Sequence, residues 1–334
     1  PEAHIHAQRQ MKLVKSLQHE AEANSQQIIL TTHSPLLASA VKLENIILIK
    51  NGNAYPLSKS ETNLDENDYI FLERYLDATK ANLFFARNVM IVEGPGEALL
   101  LPTLSRLLNR DFVDFGVSLV DVRSTGLRRY SKIFQRKNKD NPQYSGDWLN
   151  IKVACITDRD IMPNCAPRIC LNREYNDDKT NWPEINDRRW IVESDFNDTQ
   201  KATYLNRIQV KANGQNVKTF VSDKWTLEYD LAYYGLNNVT MKDFLIRAIV
   251  KTTYAQVNWI SKITEISKAL DTQASIEEKA SCFYSFFAKG NTSKAEFSQQ
   301  LALELETDFS GTEEKLKDLL PPYIVNAILF VTKN

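Results

Sequence analysis

The sequence predicts an α/β fold with a mainly parallel sheet, flanking helices and a helical C-terminal region. Residues 89–92 form a short apolar, β-branched run that is too short for a helix and has no polar face, as expected of a buried parallel strand. A second run of this kind covers residues 152–157. From Thr240 onward, the apolar residues instead recur at helical spacing. The chain is therefore expected to contain one layered α/β domain followed by helices.

The composition fits a soluble globular protein and excludes several classes. The chain has 334 residues, of which 43% are hydrophobic and 25% charged, which suggests two or three domains. Its net charge is −1, so any contact with nucleic acid must be local. Four cysteines without a C-x-x-C pair argue against zinc or a disulfide framework and favour a reducing cytoplasm. We find no apolar run that approaches a membrane span, and the missing initiator Met suggests a fragment of a longer protein.

Two acids flank the turn that follows the first predicted strand. The strand ends at Glu93, residues 94–96 read Gly-Pro-Gly and force a turn, and Glu97 opens an apolar run that predicts a helix. In open α/β sheets, functional sites lie at the carboxyl ends of the strands. The alternative is an ordinary connection with a solvated Glu93 and with Glu97 stabilising the helix through its dipole.

The second predicted strand also ends in acids. It runs into Asp158 and Asp160, and the period of two in a strand would point both side chains the same way. Four carboxylates would then converge, and they cannot all stay ionised without cations. Hard oxygen ligands on short loops suit Mg²⁺ or Mn²⁺ better than zinc. The sequence therefore predicts a divalent-metal site here.

These acids, in this order, resemble the Toprim domain of topoisomerases, primases and certain nucleases. Residues 226–231 read Thr-Leu-Glu-Tyr-Asp-Leu, which resembles a motif of the OLD (overcoming lysogenization defect) family, in which an ABC ATPase is fused to a Toprim nuclease. The resemblance implies a metal role for Glu228. Taken alone, Glu228 could also be an acid of a first helical turn that interacts with the dipole.

Lys294 stands at an expected helix start. Residues 293–296 read Ser-Lys-Ala-Glu, a capping box, and a lysine in this position opposes the helix dipole. The OLD family has a lysine here in a Ser-Lys-x-x-Phe pattern, which implies a role in stabilising charge on the scissile phosphate. The alternative is an ordinary surface lysine.

The N-terminal residues resemble the downstream part of an ABC-type ATPase head. By that resemblance, Glu2 would activate the attacking water and His33, at the end of an expected strand over residues 27–32, would sense the γ-phosphate of ATP. Residues 44–58 are expected to form a closing β-hairpin. The chain has no G-x-x-x-x-G-K-[ST] phosphate loop, so ATP hydrolysis by this chain alone is not expected.

The most basic stretch runs from Arg123 to Lys139. It could follow a DNA backbone through Arg123, Arg128, Arg129 and Lys132, or it could be a solvated helix face. At its start, a Gly-containing turn after an expected strand could present Ser124 to phosphate, although such turns are common. Residues 161–190 lack any sustained period and predict a long loop at the rim of the site.

These observations divide the chain into an ATPase remnant (1–60), a linker and helix (61–85), a Toprim nuclease domain (86–235) and a helical region (236–334). The expected function is metal-dependent DNA endonuclease activity, with Glu93 and Lys294 in catalysis. The metal ligands expected to hold two ions of Mg²⁺ or Mn²⁺ are Glu93, Glu97, Asp158, Asp160 and Glu228. A topoisomerase or primase activity and a non-catalytic DNA-binding scaffold are the alternatives. The family resemblance further implies a longer homodimeric parent that is regulated by ATP, with phage defence as its biological role.

Overall fold

The computed structural model describes residues 5–123, 126–137 and 148–333. A four-stranded parallel sheet lies at its centre, with the strand order β4–β3–β5–β8. These strands are β3 (Asn88–Val92), β4 (Val117–Asp121), β5 (Val153–Thr157) and β8 (Val217–Val221). Helices cover both faces of the sheet, so its central strands are apolar on both sides. The predicted α/β fold with a parallel sheet is confirmed.

The strand register brings the carboxyl ends of the central strands to one edge. Val89 lies beside Val153, and Val92 lies beside Asp121. On the far side of β5, Thr157 pairs with Val221. The residues that follow β3, β5 and β8 therefore leave the sheet side by side, which places the predicted acidic turns next to each other.

Thirteen α-helices occur in the described part of the chain. They are α1 (Ala7–Ala23), α2 (Pro35–Ser39), α3 (Glu66–Tyr75), α4 (Pro95–Leu107), α5 (Leu127–Lys132), α6 (Asp198–Val210), α7 (Leu227–Gly235), α8 (Val239–Thr253), α9 (Trp259–Asp271), α10 (Ile276–Ala288), α11 (Lys294–Asp308), α12 (Glu313–Leu319) and α13 (Pro322–Val331). Not one of the helices in the described residues has the length and apolar character that crossing a bilayer demands.

The N-terminal residues differ from the expected ATPase-like pattern in one element. The predicted hairpin is present as β1 (Ile47–Lys50) and β2 (Asn53–Pro56), with Asn51 and Gly52 both at positive φ in the turn. The predicted strand over residues 27–32 is absent, because this segment is irregular and joins no sheet in the described residues. Its apolar sequence favours a strand only when a neighbouring strand supplies hydrogen bonds.

One hydrophobic core connects the N-terminal residues to the sheet. Leu48 and Tyr55 of the hairpin, together with Leu72 of α3, belong to the same buried cluster as Ile91 and Cys155 of the central strands. The segment predicted as a linker and helix, 61–85, contains α3 and a short 3₁₀ helix, Lys80–Phe85, both packed in this cluster. The domain boundaries stay a prediction.

The C-terminal helices cover the other face of the sheet. Helix α13 packs against β5 and β8, and α11 packs against α4 and α8. Between β5 and α6, residues 161–197 form mainly irregular structure with a two-residue parallel pair, β6 (Ile161–Met162) and β7 (Ile191–Val192). The loop predicted for residues 161–190 therefore contains only short elements, including a π-helical turn, Pro167–Leu171.

Candidate active site

Glu93 and Glu97 occupy the turn between β3 and α4. Glu93 directly follows the last residue of β3, and Glu97 lies in the first turn of α4. Burial raises the pKa of Glu93, while hydrogen bonds from the Thr157 side chain and the backbone of Asp158 lower it, and the charge of Asp160 raises it further. Burial raises the pKa of Glu97 to about 7, and the charge of Glu228 adds to this effect. Both acids therefore sit in surroundings that disfavour their negative charge.

Asp158 lies at the end of β5 and faces the same group of acids. Its Oδ1 accepts a hydrogen bond from the backbone N–H of Leu227 at 3.2 Å, which links β5 to the start of α7. Burial raises the pKa of Asp158 well above its ordinary value, and the charges of Glu228 and Glu97 raise it further, against the opposing effect of Lys294.

Asp158 and Asp160 do not lie in the strand that would point both side chains the same way. Strand β5 ends at Thr157, and Asp160 is exposed with a left-handed φ of 57°. Between the two aspartates, Arg159 is buried at 6% exposure and donates from its Nη1 to the backbone carbonyl of Asp223 at 2.8 Å. The premise that the strand period aligns both aspartates is therefore wrong, because the backbone turns to bury Arg159. The charge of Asp160 still raises the pKa of Glu93 and Asp158, so it stays beside the cluster.

Glu228 comes from α7 and meets Lys294 from α11. The Thr226 side chain caps α7 by accepting from the N–H of Tyr229 at 3.4 Å, and its Oγ1 lies 3.2 Å from Glu228 Oε2. The same Oε2 lies 2.8 Å from Lys294 Nζ. The predicted capping residue Ser293 accepts from the N–H of Glu296 at 3.3 Å, so Lys294 stands at the helix start as expected.

Asp230 has a different role from its neighbour Glu228. Its two carboxylate oxygens accept hydrogen bonds from the backbone N–H groups of Asp223, Lys224 and Trp225 at 2.7, 3.1 and 2.9 Å. The side chain is fully buried, and burial raises its pKa to about 7. Asp230 therefore holds the loop that precedes α7, and through it the position of Glu228.

The five expected metal ligands share one edge but do not form a closed ligand set. No group of three His, Cys, Asp or Glu side chains in the described residues is arranged so that it could hold an ion. The donor chemistry nevertheless suits a hard divalent cation, because the carboxylates raise one another's pKa. Two buried hydroxyls nearby, Ser298 Oγ and Tyr323 Oη, have no hydrogen-bond partner among the described residues. By the chemistry of their donor atoms, the residues fit a hard divalent cation.

The basic stretch is partly engaged within the molecule. Asp68 of α3 is completely buried and receives three cations: Arg128 Nη2 at 2.5 Å, Arg129 Nε at 3.2 Å and Lys132 Nζ at 3.7 Å. The fourth residue predicted to bind DNA, Arg123, is exposed with a φ of 50°. Three of the four side chains thus have a structural interaction that the sequence did not indicate, and their role in DNA binding stays a prediction.

Of the two predicted ATP-site residues, Glu2 lies outside the described residues, as does Ser124 of the Gly-containing turn. His33 is exposed and follows the irregular segment 27–32, directly before Ser34, which caps α2 by accepting from the N–H of Leu37 at 3.4 Å. The ATPase-like role of His33 stays a prediction.

Sequence reasoning missed Asp68 and Ser298. Asp68 is separated from its basic partners by 60 or more residues, and no local pattern pairs them. Ser298 follows Lys294 by one helical turn, and that spacing was the available signal that both face the site.

A family model and several solved structures are similar to parts of this chain. Residues 84–160 match the family described as overcoming lysogenization defect protein-like, Toprim domain. The fold resembles the C-terminal region of the OLD protein of Xanthomonas campestris pv. campestris, with 20% identity over 75% of this chain and 94% of the other and a TM-score of 0.41. It also resembles the C-terminal region of the Burkholderia pseudomallei OLD protein, with 19% identity over 74% and 98% of the two chains and a TM-score of 0.42. The comparison with curated proteins gave no significant match. The predicted OLD-like Toprim domain is confirmed, and it contains Glu93, Glu97, Asp158 and Asp160.

Proposed function

We propose that this OLD-like Toprim chain hydrolyses phosphodiester bonds of DNA with divalent cations. The supporting observation is the convergence of four carboxylates, Glu93, Glu97, Asp158 and Glu228, from three separate parts of the chain. The pKa of three of them is raised by burial and by their neighbours. Repulsion between these carboxylates lowers the stability of the folded protein. A cluster of this kind at the ends of parallel strands is therefore best explained by bound cations.

The residues have distinct tasks in the proposed reaction. Toprim domains typically use divalent metals, and bound Mg²⁺ or Mn²⁺ would supply an activated water and neutralise the leaving oxygen. Glu93, Glu97, Asp158, Asp160 and Glu228 would hold these ions. Glu93 would orient the attacking water, and Lys294, whose side chain is 45% exposed, would contact the phosphate oxygens through its ammonium.

DNA is the proposed substrate because local positive charge is available beside the Toprim sheet. The Asp68 carboxylate meets three cations, Arg128, Arg129 and Lys132, so positive charge remains in excess even after Asp65 at 3.8 Å from Arg128 is included. Side chains of Arg128 and Lys132 keep 36% and 22% of their surface exposed. This surface could contact the phosphate backbone without sequence preference.

Two buried tyrosines disfavour the topoisomerase alternative at this site. Tyr284 and Tyr323 both interact electrostatically with Asp158 and Glu228, and they are exposed by only 9% and 4%. Burial raises the pKa of both phenols. A tyrosine that attacks a phosphodiester must reach it, and these two side chains are buried.

Supercoiled plasmid tests the proposal directly. The purified chain is incubated with plasmid in EDTA, Mg²⁺ or Mn²⁺, and Glu93→Gln is compared with Glu73→Gln on the exposed side of α3. We expect nicked or linear DNA with either metal, its loss in EDTA and in Glu93→Gln, and its retention in Glu73→Gln. Relaxed topoisomers would support the topoisomerase alternative, and unchanged plasmid with every metal would support a non-catalytic scaffold.

A further inference from the structure

The contact between Lys294 and Glu228 joins a partly exposed side chain to a buried one. Lys294 Nζ lies 2.8 Å from Glu228 Oε2. The Glu228 side chain is only 4% exposed, whereas that of Lys294 is 45% exposed. The partly exposed Lys294 side chain can reorient toward water or phosphate, whereas the buried Glu228 carboxylate needs a partner in either case.

Glu228 is also the acid that connects the others. Its charge raises the pKa of both Glu97 and Asp158. Yet no three acids in the described residues are arranged to hold one ion. While Lys294 pairs with Glu228, the ammonium of this lysine partly neutralises the negative charge of the acids.

Ser298 offers Glu228 a second partner. It follows Lys294 by one turn of α11, and its buried Oγ has no hydrogen-bond partner in the described part of the chain. A Cβ placed on Gly96 would lie 3.2 Å from Ser298 Oγ and 3.9 Å from Glu228 Oε1, so both side chains border the same small space. The hydroxyl is therefore within reach of a reoriented Glu228 carboxylate.

We propose that Lys294 is the resident counter-ion of Glu228, which a divalent cation displaces on binding. Displacement frees the Lys294 ammonium for the substrate phosphate, and Ser298 then donates its unused hydrogen bond to Glu228. Lys294 thus sets the metal affinity of the site in addition to its proposed contact with phosphate. This inference rests on the proposed metal site.

If Lys294 competes with a divalent cation for Glu228, its removal has effects that the removal of a purely catalytic lysine would not have. Removing the ammonium leaves Glu228 unpaired, so the metal-free protein loses stability. The same removal eliminates the competitor, so a divalent cation binds more tightly. A lysine that touches only the phosphate would leave metal affinity unchanged, and a lysine that supports the metal site would make binding weaker on removal.

Direct measurement of Mn²⁺ binding tests the inference without any activity assay. Calorimetric titration and melting curves in EDTA compare wild type with Lys294→Met, which keeps the side-chain length without charge. Lys262→Met is the matched control, since Lys262 pairs with Glu265 on the exposed surface of α9. For Lys294→Met we expect roughly three- to tenfold tighter Mn²⁺ binding and a melting temperature in EDTA lower by about 2–4 °C. Lys262→Met should change neither quantity measurably.

Ser298→Ala provides a second test that leaves the Lys294–Glu228 contact in place. We expect Mn²⁺ binding to weaken by roughly two- to fivefold, because Glu228 then lacks its replacement partner. If Lys294→Met does not fold, Lys294→Gln serves for the first test. Unchanged or weaker Mn²⁺ binding in the Lys294 variants, with normal binding in wild type, would overturn the inference and leave the metal site standing. Absence of Mn²⁺ binding by wild type would instead refute the proposed function.

Discussion

Two charged clusters of this molecule show opposite ways of burying a carboxylate. Around Asp68, one buried carboxylate is surrounded by three cations from α5. At the edge of the sheet, burial raises the pKa of Glu93, Glu97 and Asp158, and the charges of neighbouring acids raise it further. Lys294 contacts this group through Glu228. The first arrangement stabilises the fold by itself. The second brings several acids together with one contacting cation, and we attribute this excess of carboxylates to the proposed metal site.

The same contrast appears within a single turn of α7. Asp230 accepts three backbone hydrogen bonds from the preceding loop, so its oxygens are satisfied by the protein. Glu228, two residues earlier, contacts the side chains of Thr226 and Lys294. Asp230 holds the backbone in position, and Glu228 is the acid for which we propose an exchange of partners.

The largest expected effect comes from Asp158→Asn. An Asn can keep the contact that Asp158 Oδ1 makes with the N–H of Leu227. It loses the negative charge that cations require, so plasmid cleavage should fall by about 100-fold or more, and Mg²⁺ binding should weaken. Melting curves in EDTA should show equal or slightly higher stability, because one repelling charge is gone.

Two outcomes would contradict this expectation for Asp158. One is a mutant that still cleaves plasmid at the wild-type rate with Mg²⁺. The other is an equal loss of stability in EDTA and in excess Mg²⁺, which would make Asp158 a structural acid like Asp230.

Asp68→Asn should lower the stability of the protein, whereas Asp158→Asn should leave it equal or slightly higher. The substitution removes the charge that three cations share, and we expect stability to fall by about 2–3 kcal/mol, with or without metal. The estimate is below the usual cost of breaking a buried ion pair because the cations keep between 22% and 36% of their side chains exposed. Urea unfolding measures it, and a loss that metal reverses would show that the two clusters are not independent.

The sequence predicted the acids at the sheet edge far better than the contacts of Asp68 with Arg128, Arg129 and Lys132, which we call the Asp68 cluster. The difference has a physical reason. Acids at strand ends meet because parallel strands bring their carboxyl ends together, so a local pattern at Glu93 and Asp158 contained the long-range information. Asp68 meets its cations through packing of α3 on α5, which no spacing encodes. Asp160 shows the limit of the first kind of inference, since the strand period stops at Thr157 and the backbone turns.

The N-terminal residues show a second limit. The apolar segment 27–32 has strand-like composition, but its backbone pairs with no strand in the described residues. A strand requires a neighbour for its hydrogen bonds, and composition does not reveal whether one is present. The hairpin over residues 47–56 was predictable because it contains both of its strands and their turn.

The dependence of stability on pH should also separate the clusters, with a smaller effect. The pKa of Glu97 is raised from 4.5 to about 7, so the folded protein keeps a proton that the unfolded chain releases. Between these pH values the folded state binds more protons, and stability therefore falls as the pH rises. In EDTA, the melting temperature of wild type should drop from pH 5 to pH 7.5, and Glu97→Gln should show a shallower drop. Excess Mg²⁺ should remove this difference between wild type and Glu97→Gln. Equal slopes of melting temperature against pH for the two proteins in EDTA would contradict the expectation.

The smallest expected effect concerns DNA contact by the Asp68 cluster. Arg128 is its most exposed cation, and Asp68 retains Arg129 and Lys132 when Arg128 is replaced. Arg128→Gln should therefore cost only about 0.5–1 kcal/mol of stability.

If Arg128 contacts a phosphate, the slope of log affinity against log salt should decrease by about 0.9, equally for unrelated DNA sequences. Arg74→Gln, which removes an exposed charge from α3, is the matched control. A slope unchanged in Arg128→Gln relative to Arg74→Gln would assign the cluster to the fold alone, because counter-ions are released only where a cation replaces them on the backbone.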